Sequence, residues 1–253
     1  MNETHPTPQS YIFASLLTGV YDVNRNELLK NDDFRVIEEW YNSIVRLNLN
    51  AVIFHNTFSE ETVSTYQTEQ ISFVSVDYDG KLNPNVQRYL IYRDYINQHL
   101  EIIENVFVTD IADVVIVKNP FLQPLFIHHK STKIFCGDEP KTLGNEWMQE
   151  HSTHLRNNIL EFAEYEEKYQ HETLLNCGII GGNVVMMQSL MQQLANIHQT
   201  HNIDNKTAFT GDMGAFNFVM RTKFNDQFLH GSPINTQFKN HETDRIDCWF
   251  RHK

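Results

Sequence analysis

VFVTDIADVVIVKNPF, from Val106 to Phe121, sets two carboxylates, Asp110 and Asp113, between two runs of residues that look like protein core. With Asn105 in front, the run NVFVT reads as a buried strand that delivers Asp110 directly at its carboxyl end. Acids in such apolar company need compensation, because burying an unpaired charge is costly. A hard divalent cation, Mg²⁺ or Mn²⁺, bound through oxygen would supply it and would keep further positions for water and substrate phosphates. A local reading stays open beside this one, with Asp110 capping the following turn and Asp113 pairing with a basic residue.

Working outward, short apolar runs alternate with segments of helical spacing. Tyr11–Leu17 reads as a first strand, followed by a loop at Thr18-Gly19. Phe34–Val45 carries apolar residues at helical spacing, and NAVIFH (Asn50–His55) and ISFVSV (Ile71–Val76) read as strands. Val86–Leu100 reads as a helix ahead of the central strand. Beyond it, Val114–Val117 and Lys133–Cys136 are short strands, Gly137–Trp147 is loop, and His151–Tyr169 is one helical surface segment. Cys177–Ile180 is a strand ending at Gly181-Gly182, Val184–Thr200 is a helix, and a helix over Gly211–Met220 has its start marked by Thr210, Gly211 and Asp212. Strands alternating with helices predict a single α/β domain, 1–253, Rossmann-like, with a mostly parallel sheet flanked by helices. Ligands of such sheets sit beyond the carboxyl strand ends, where Asp110 falls.

Composition narrows the function. With 253 residues of which 41% are hydrophobic, the chain can bury a substantial core. A formal charge of −12 argues against nucleic acid as a partner, since phosphate binding needs a field of lysine and arginine. The same charge makes a bridging cation useful for any diphosphate ligand. Cys136, Cys177 and Cys248 lie far apart without CxxC spacing, which suggests neither a disulfide framework nor a zinc ribbon and fits a reducing compartment. No apolar run is long enough to span a bilayer, so the expected location is the cytoplasm, with peripheral attachment at the inner membrane left open. The end at Lys253 leaves open that the chain is a piece of a longer protein.

The central stretch resembles the metal-binding motif of GT-A-type glycosyltransferases, glycogenin-like and bacterial surface-polysaccharide enzymes among them, which read strand, Asp-x-Asp or Asp-x-x-Asp, Val, then Asn/Asp-Pro. The resemblance extends through NVQRYLIYRDYI (Asn85–Ile96), ETLLNCGIIGGN (Glu172–Asn183), GDMGAFNFVM (Gly211–Met220) and the final FRHK. It implies a GT-A-like fold in which Asp110 and Asp113 bind Mn²⁺ or Mg²⁺, Asp110 also contacting the donor, with His252 completing the metal site. It further implies Arg88 near the diphosphate or nucleotide, Gly181 and Gly182 lining the donor sugar, and Lys253 offsetting leaving-group phosphate charge. Thr18, Gly19 and Tyr21 would then shape the base pocket, and Glu139 and Asn145 would lie in a loop near the site. With two residues between the acids, either Asp110 or Asp113 could be the direct ligand. Met213 stands where many relatives have Gln. His230, in FLHGSPINTQF, is a second candidate ligand.

Asp212, at a helix start, is either a helix cap or the catalytic carboxylate. In an inverting reaction it would be the general base, and in a retaining one it would orient the acceptor. The expected activity is transfer of a sugar, with a preference for galactose or galactofuranose, from a UDP-sugar donor to a glycan or lipid-linked glycan acceptor in lipopolysaccharide or capsule synthesis. A nucleotidyltransferase would show a glycine-rich, basic loop after the first strand, and SLLTGVYDVNR is not glycine-rich. A non-catalytic glycan-binding module of the same fold is the other alternative.

Overall fold

The strands of the sheet centre are apolar on both faces because both faces are covered. In the first strand, Phe13 points into one core with Phe54, Tyr92 and Val106, while Ile12 and Ala14 point into the other with Ile53, Trp40 and Phe107. This is the period-two alternation of a strand sandwiched between helical layers. A computed structural model describes residues 7–19, 21–22, 27–201, 211–240 and 242–253. Thr210, one of the helix-start markers, lies outside them.

In chain order the elements are β1 (Gln9–Leu16), β2 (Tyr21–Asp22), β3 (Glu27–Leu28), α1 (Glu38–Leu47), β4 (Asn50–His55), α2 (Glu60–Tyr66), β5 (Ile71–Ser75), α3 (Pro84–Gln98), β6 (Ile103–Thr109) and β7 (Val114–Ile116). There follow α4 (Pro124–His129), β8 (Ile134–Thr142), α5 (Glu146–His151), α6 (Thr153–Asn158), α7 (Phe162–Tyr169), β9 (Thr173–Asn183), α8 (Val184–His201), α9 (Asp212–Lys223), β10 (Phe228–His230) and β11 (Phe250–His252). Seven strands form the central sheet in the order β10-β8-β9-β6-β1-β4-β5. β6, β1, β4 and β5 run parallel, as do β10 and β8, while β9 runs antiparallel between β8 and β6. The chain is therefore a single α/β domain with a mostly parallel sheet flanked by helices, compatible with a Rossmann-like fold.

Several local expectations yield to tertiary contacts. Gly137–Thr142, expected as loop, continues β8, because Gly137 and Asp138 pair with Asn176 and Leu175 of β9. β9 does not stop at Gly181-Gly182: Gly181 lies opposite Phe107 and Phe135, and the Phe107 ring occupies the space where a Cβ would stand. The expected single helix over His151–Tyr169 is broken into the end of α5, then α6 and α7, with breaks at Ser152 and around Leu160. The short helices α2 and α4 escaped the periodicity, being under two full turns long.

Where the caps are local, they follow local chemistry. Asn83 Oδ1 accepts from the Asn85 amide at 2.9 Å and Pro84 opens α3, while Asn48 closes α1 in the left-handed region at φ 49°. α3 and α8 pack together on one face of the sheet, and the fully buried His198 of α8 stacks on Tyr89 of α3, ring centroids 5.8 Å apart. Neither of its ring nitrogens has a hydrogen-bond partner among the described residues. Burial pushes its pKa down to about 4, against an opposing pull from Asp212. Above pH 6.5 the ring is neutral in both folded and unfolded chains. As pH falls from 6.5 toward about 4, the unfolded chain takes up a proton that the folded one refuses, so stability drops. The expected loss is about 3 kcal/mol. Urea unfolding at pH 7 and pH 4 should show a fall in wild type that exceeds the fall in His198→Phe by about that amount; equal falls would show that His198 does not carry the effect.

Candidate functional site

The carboxyl end of β6 hands the chain to Asp110, and three long-range contacts build a site around it. β9 passes alongside, and the Asp110 amide donates to the Gly178 carbonyl at 2.8 Å. β11 pairs antiparallel with β7, setting His252 opposite Val114, and the Lys253 amide donates to the Asp113 carbonyl at 2.9 Å. Arg88, from α3, pairs through Nη1 with Asp110 Oδ1 and directs Nη2 to the Cys177 carbonyl at 3.3 Å.

Asp110 Oδ2 then lies 3.6 Å from His252 Nε2, and Asp113 Oδ1 lies 3.9 Å from the same nitrogen. Among the described residues, Asp110, Asp113 and His252 can each offer one ligand atom within 4.8 Å of the others. The His252 side chain is 1% exposed, and neither ring nitrogen has a hydrogen-bond partner among the described residues. A buried imidazole facing two carboxylate oxygens beyond hydrogen-bond distance fits an ion between them, since an orphaned buried nitrogen otherwise costs about 1–3 kcal/mol. One nitrogen and two carboxylates could hold a divalent cation. Burial alone would push the Asp110 carboxyl up, but the Arg88 guanidinium and the His252 ring more than offset it and hold it well below the usual carboxylate range.

Glycine is required at 178 for a steric reason. A Cβ there would sit 2.5 Å from both Asp110 Oδ2 and His252 Cε1, inside the space the ligand atoms occupy. Thr236 fixes His252 from the other side, its hydroxyl accepting from the His252 amide at 2.9 Å, and the Phe238 ring covers the imidazole at 4.4 Å. The next residue, Lys239, has φ 65°, an uncommon left-handed conformation for a residue with a side chain, and it lines the cavity.

The cavity has a volume of about 320 Å³. It extends from Asp110, Asp113 and His252 past Asn176 and Cys177 to Glu139, Trp147, His151 and Asp212. Asp212, the first residue of α9, is buried; His151 Nε2 donates to its Oδ1 at 3.1 Å and the Cys177 thiol faces its Oδ2 at 3.6 Å. Burial pushes the pKa of that thiol well up, and Asp212 adds to the effect.

The structure thus brings Arg88, Asp110, Asp113, Asp212 and His252 to one cavity, with Glu139. Other expectations need correction. Gly181 and Gly182 do not line it: β9 runs antiparallel to β6, so Gly178 stands beside Asp110 while Gly181 faces Phe107 and Gly182 pairs with Val106, farther toward the start of β6. Lys253 turns away and its ammonium pairs with Glu39. Thr18 is buried in a polar knot, its hydroxyl 2.6 Å from that of Thr57 and its amide donating to Asn56, while Ser15, Leu16 and Leu17 of the same segment reach the cavity. Gly19, at φ 87°, and the half-exposed Tyr21 are not among the lining residues. Asn145 caps α5 by accepting from the Met148 amide, and His230 bonds Asp138 at 3.0 Å, outside the Asp110–Asp113–His252 cluster. Trp147, His151 and Lys239 were missed. No local pattern marks them, although Asn176, which also lines the cavity, lies inside the quoted ETLLNCGIIGGN.

No helix among the described residues is long and apolar enough to cross a membrane. Set against protein-family models the chain matches none, and no curated protein matches it, so the functional reading rests on this site.

Proposed function

We propose that this protein is a metal-dependent glycosyltransferase that moves a sugar from a nucleoside-diphosphate sugar to a glycan acceptor. The observation that carries the reading is the Asp110–Asp113–His252 cluster at the carboxyl end of β6, whose buried imidazole has no hydrogen-bond partner among the described residues. UDP as the nucleotide, and a bacterial surface polysaccharide built with galactose or galactofuranose as the product, follow from the sequence resemblance.

Charge balance supports a bound cation, which a diphosphate ligand of this cavity would need. Four carboxylates, Asp110, Asp113, Glu139 and Asp212, line the cavity against two cations, Arg88 and Lys239. Arg88 is already committed to Asp110, so a diphosphate would meet Lys239 and whatever cation the cluster holds. Mn²⁺ or Mg²⁺ bound by Asp110, Asp113 and His252 would neutralise charge developing on the leaving diphosphate. Lys239, in place of the expected Lys253, would add a fixed positive charge. In an inverting transfer, Asp212 would take the acceptor's hydroxyl proton while that oxygen bonds to the anomeric carbon and the bond to the diphosphate breaks. In a retaining one it would hold the acceptor hydroxyl. His151 keeps the Asp212 carboxylate in place for either role.

Calorimetric titration of UDP with and without Mn²⁺ tests the reading. Binding should require Mn²⁺ and fall by about a hundredfold or more in Asp113→Ala. It should weaken about tenfold in Lys239→Ala, the worth of one charge-assisted contact, and change by less than about twofold in Lys253→Ala. UDP that fails to bind with Mn²⁺ present would overturn the UDP-sugar reading, and equal losses in the two lysine variants would overturn the assignment of Lys239.

A further inference from the structure

The end of the cavity away from the metal cluster has a different chemistry, in which an aromatic surface adjoins hydrogen-bond acceptors. Trp147 is 40% exposed and lines the cavity. Its ring stacks on His151 with centroids 4.7 Å apart and planes 24° from parallel, and His151 in turn holds Asp212. The indole is therefore braced by a buried imidazole that is itself hydrogen-bonded, so a ligand laid on it would not have to immobilise it. Beside it, Glu139 is buried, receives a hydrogen bond from Asn176 Nδ2 at 2.9 Å through Oε1, and keeps Oε2 3.7 Å from the Lys141 ammonium, beyond hydrogen-bond distance. Lys141 also lies 5.8 Å from the centre of the Trp147 ring.

Resting on the transferase reading, we infer that Trp147, Glu139 and Asp212 form the acceptor subsite, and that it takes a neutral sugar ring and excludes acidic ones. A pyranose has one face of C–H groups and a rim of hydroxyls. The C–H face suits the electron-rich face of an indole. The hydroxyls are donors, and the carboxylates of Glu139 and Asp212, which already accept from Asn176 and His151, each offer several lone pairs that can also accept from a sugar hydroxyl. A hexuronate or a phosphorylated acceptor would bring a third negative charge beside Glu139 and Asp212, where the low-dielectric wall strengthens repulsion; among the described residues, the lysine beside Trp147, Lys141, already faces Glu139.

The chain reports on this subsite by itself. Of its three tryptophans, Trp40 and Trp249 are each 1% exposed, so a ligand-induced change in tryptophan fluorescence reads Trp147. With Mn²⁺ and UDP present, lactose, maltose and cellobiose are titrated alongside glucuronic and galacturonic acids. At least one neutral disaccharide should give a saturable change, and the hexuronates should give none. By calorimetry, that disaccharide should bind about tenfold more weakly to Trp147→Ala and within about threefold of wild type to Trp147→Phe, which keeps an aromatic face. Glu139→Gln, which removes one charge, should bring hexuronate binding into range. UDP affinity with Mn²⁺ should stay within about twofold in both Trp147 variants, showing that the fold and donor site are intact. Hexuronates binding as tightly as the neutral sugars, unchanged affinity in Trp147→Ala, or UDP binding without any neutral sugar binding would each overturn the subsite and leave the donor reading standing. Failure of UDP itself to bind would overturn the donor reading and, with it, the acceptor assignment.

Discussion

An Asp110→Ala variant should unfold more easily than wild type by about 3–5 kcal/mol, while Asp113→Ala should differ by less than about 1 kcal/mol, although both remove a ligand of the proposed metal. Asp110 has two jobs on two oxygens. Oδ2 faces His252, and Oδ1 neutralises Arg88, whose side chain is only 8% exposed. Without Asp110, Arg88 keeps the Cys177 carbonyl at 3.3 Å and Sγ at 3.5 Å as partners, neither of which carries a compensating charge. An uncompensated buried cation is among the few single-site changes that cost this much. Asp113 is 32% exposed, and the buried Arg88 guanidinium pairs with Asp110 rather than with it. Urea unfolding in the presence of a chelator separates stability from metal binding. The double variant Asp110→Ala/Arg88→Met should recover much of the loss, because removing both charges leaves nothing unpaired, and it should still fail to bind metal. Equal stabilities for Asp110→Ala and Asp113→Ala would show that the Arg88 pair does not hold the fold.

Three glycines of β9 should respond to alanine in three different ways. Gly181→Ala should destabilise by about 3 kcal/mol, the upper end for overpacking a core. The added methyl would run into the Phe107 ring, which is packed against Phe121, Phe126, Phe135, Trp249 and Phe250 and has nowhere to go. Gly178→Ala pushes on Asp110 Oδ2 and His252 Cε1, so its main effect should be a fall of about tenfold or more in Mn²⁺ affinity. Gly182→Ala meets nothing nearer than the Lys133 carbonyl at 3.4 Å, an ordinary contact, and should change stability by less than about 1 kcal/mol. Thermal unfolding together with Mn²⁺ titration on the three variants checks the pattern. A metal defect in Gly181→Ala with unchanged stability would restore that glycine to the ligand site.

These glycines also show where sequence reading reaches its limit. A run such as Gly181-Gly182 is a sound turn signal when only local conformational freedom is weighed, yet here the first glycine exists because an aromatic ring from the neighbouring strand fills the place of its side chain. The same holds for Gly137–Thr142, whose turn-like residues are held extended by β9. Lys253 and Lys239 differ in the same way. The ending FRHK put a cation next to His252 in sequence, but successive residues of a strand point to opposite faces, so once His252 faces the acids its neighbour does not. The lysine that lines the cavity, Lys239, comes from a loop folded over the His252 ring by Thr236 and Phe238.

What the sequence by itself determined were properties set within a few residues: the buried strands that alternate with helices, the α/β class, and the delivery of Asp110 and Asp113 at a strand end, because apolar periodicity and charge placement are local. Tertiary structure alone decided which distant groups meet there. The pairing of β11 with β7 brings His252 to the acids, α3 supplies the counter-charge of Arg88, and the packing of α5 against α9 joins Trp147 and His151 to Asp212. Such contacts are chosen by the energy of the whole packed arrangement, and no window of sequence contains both partners.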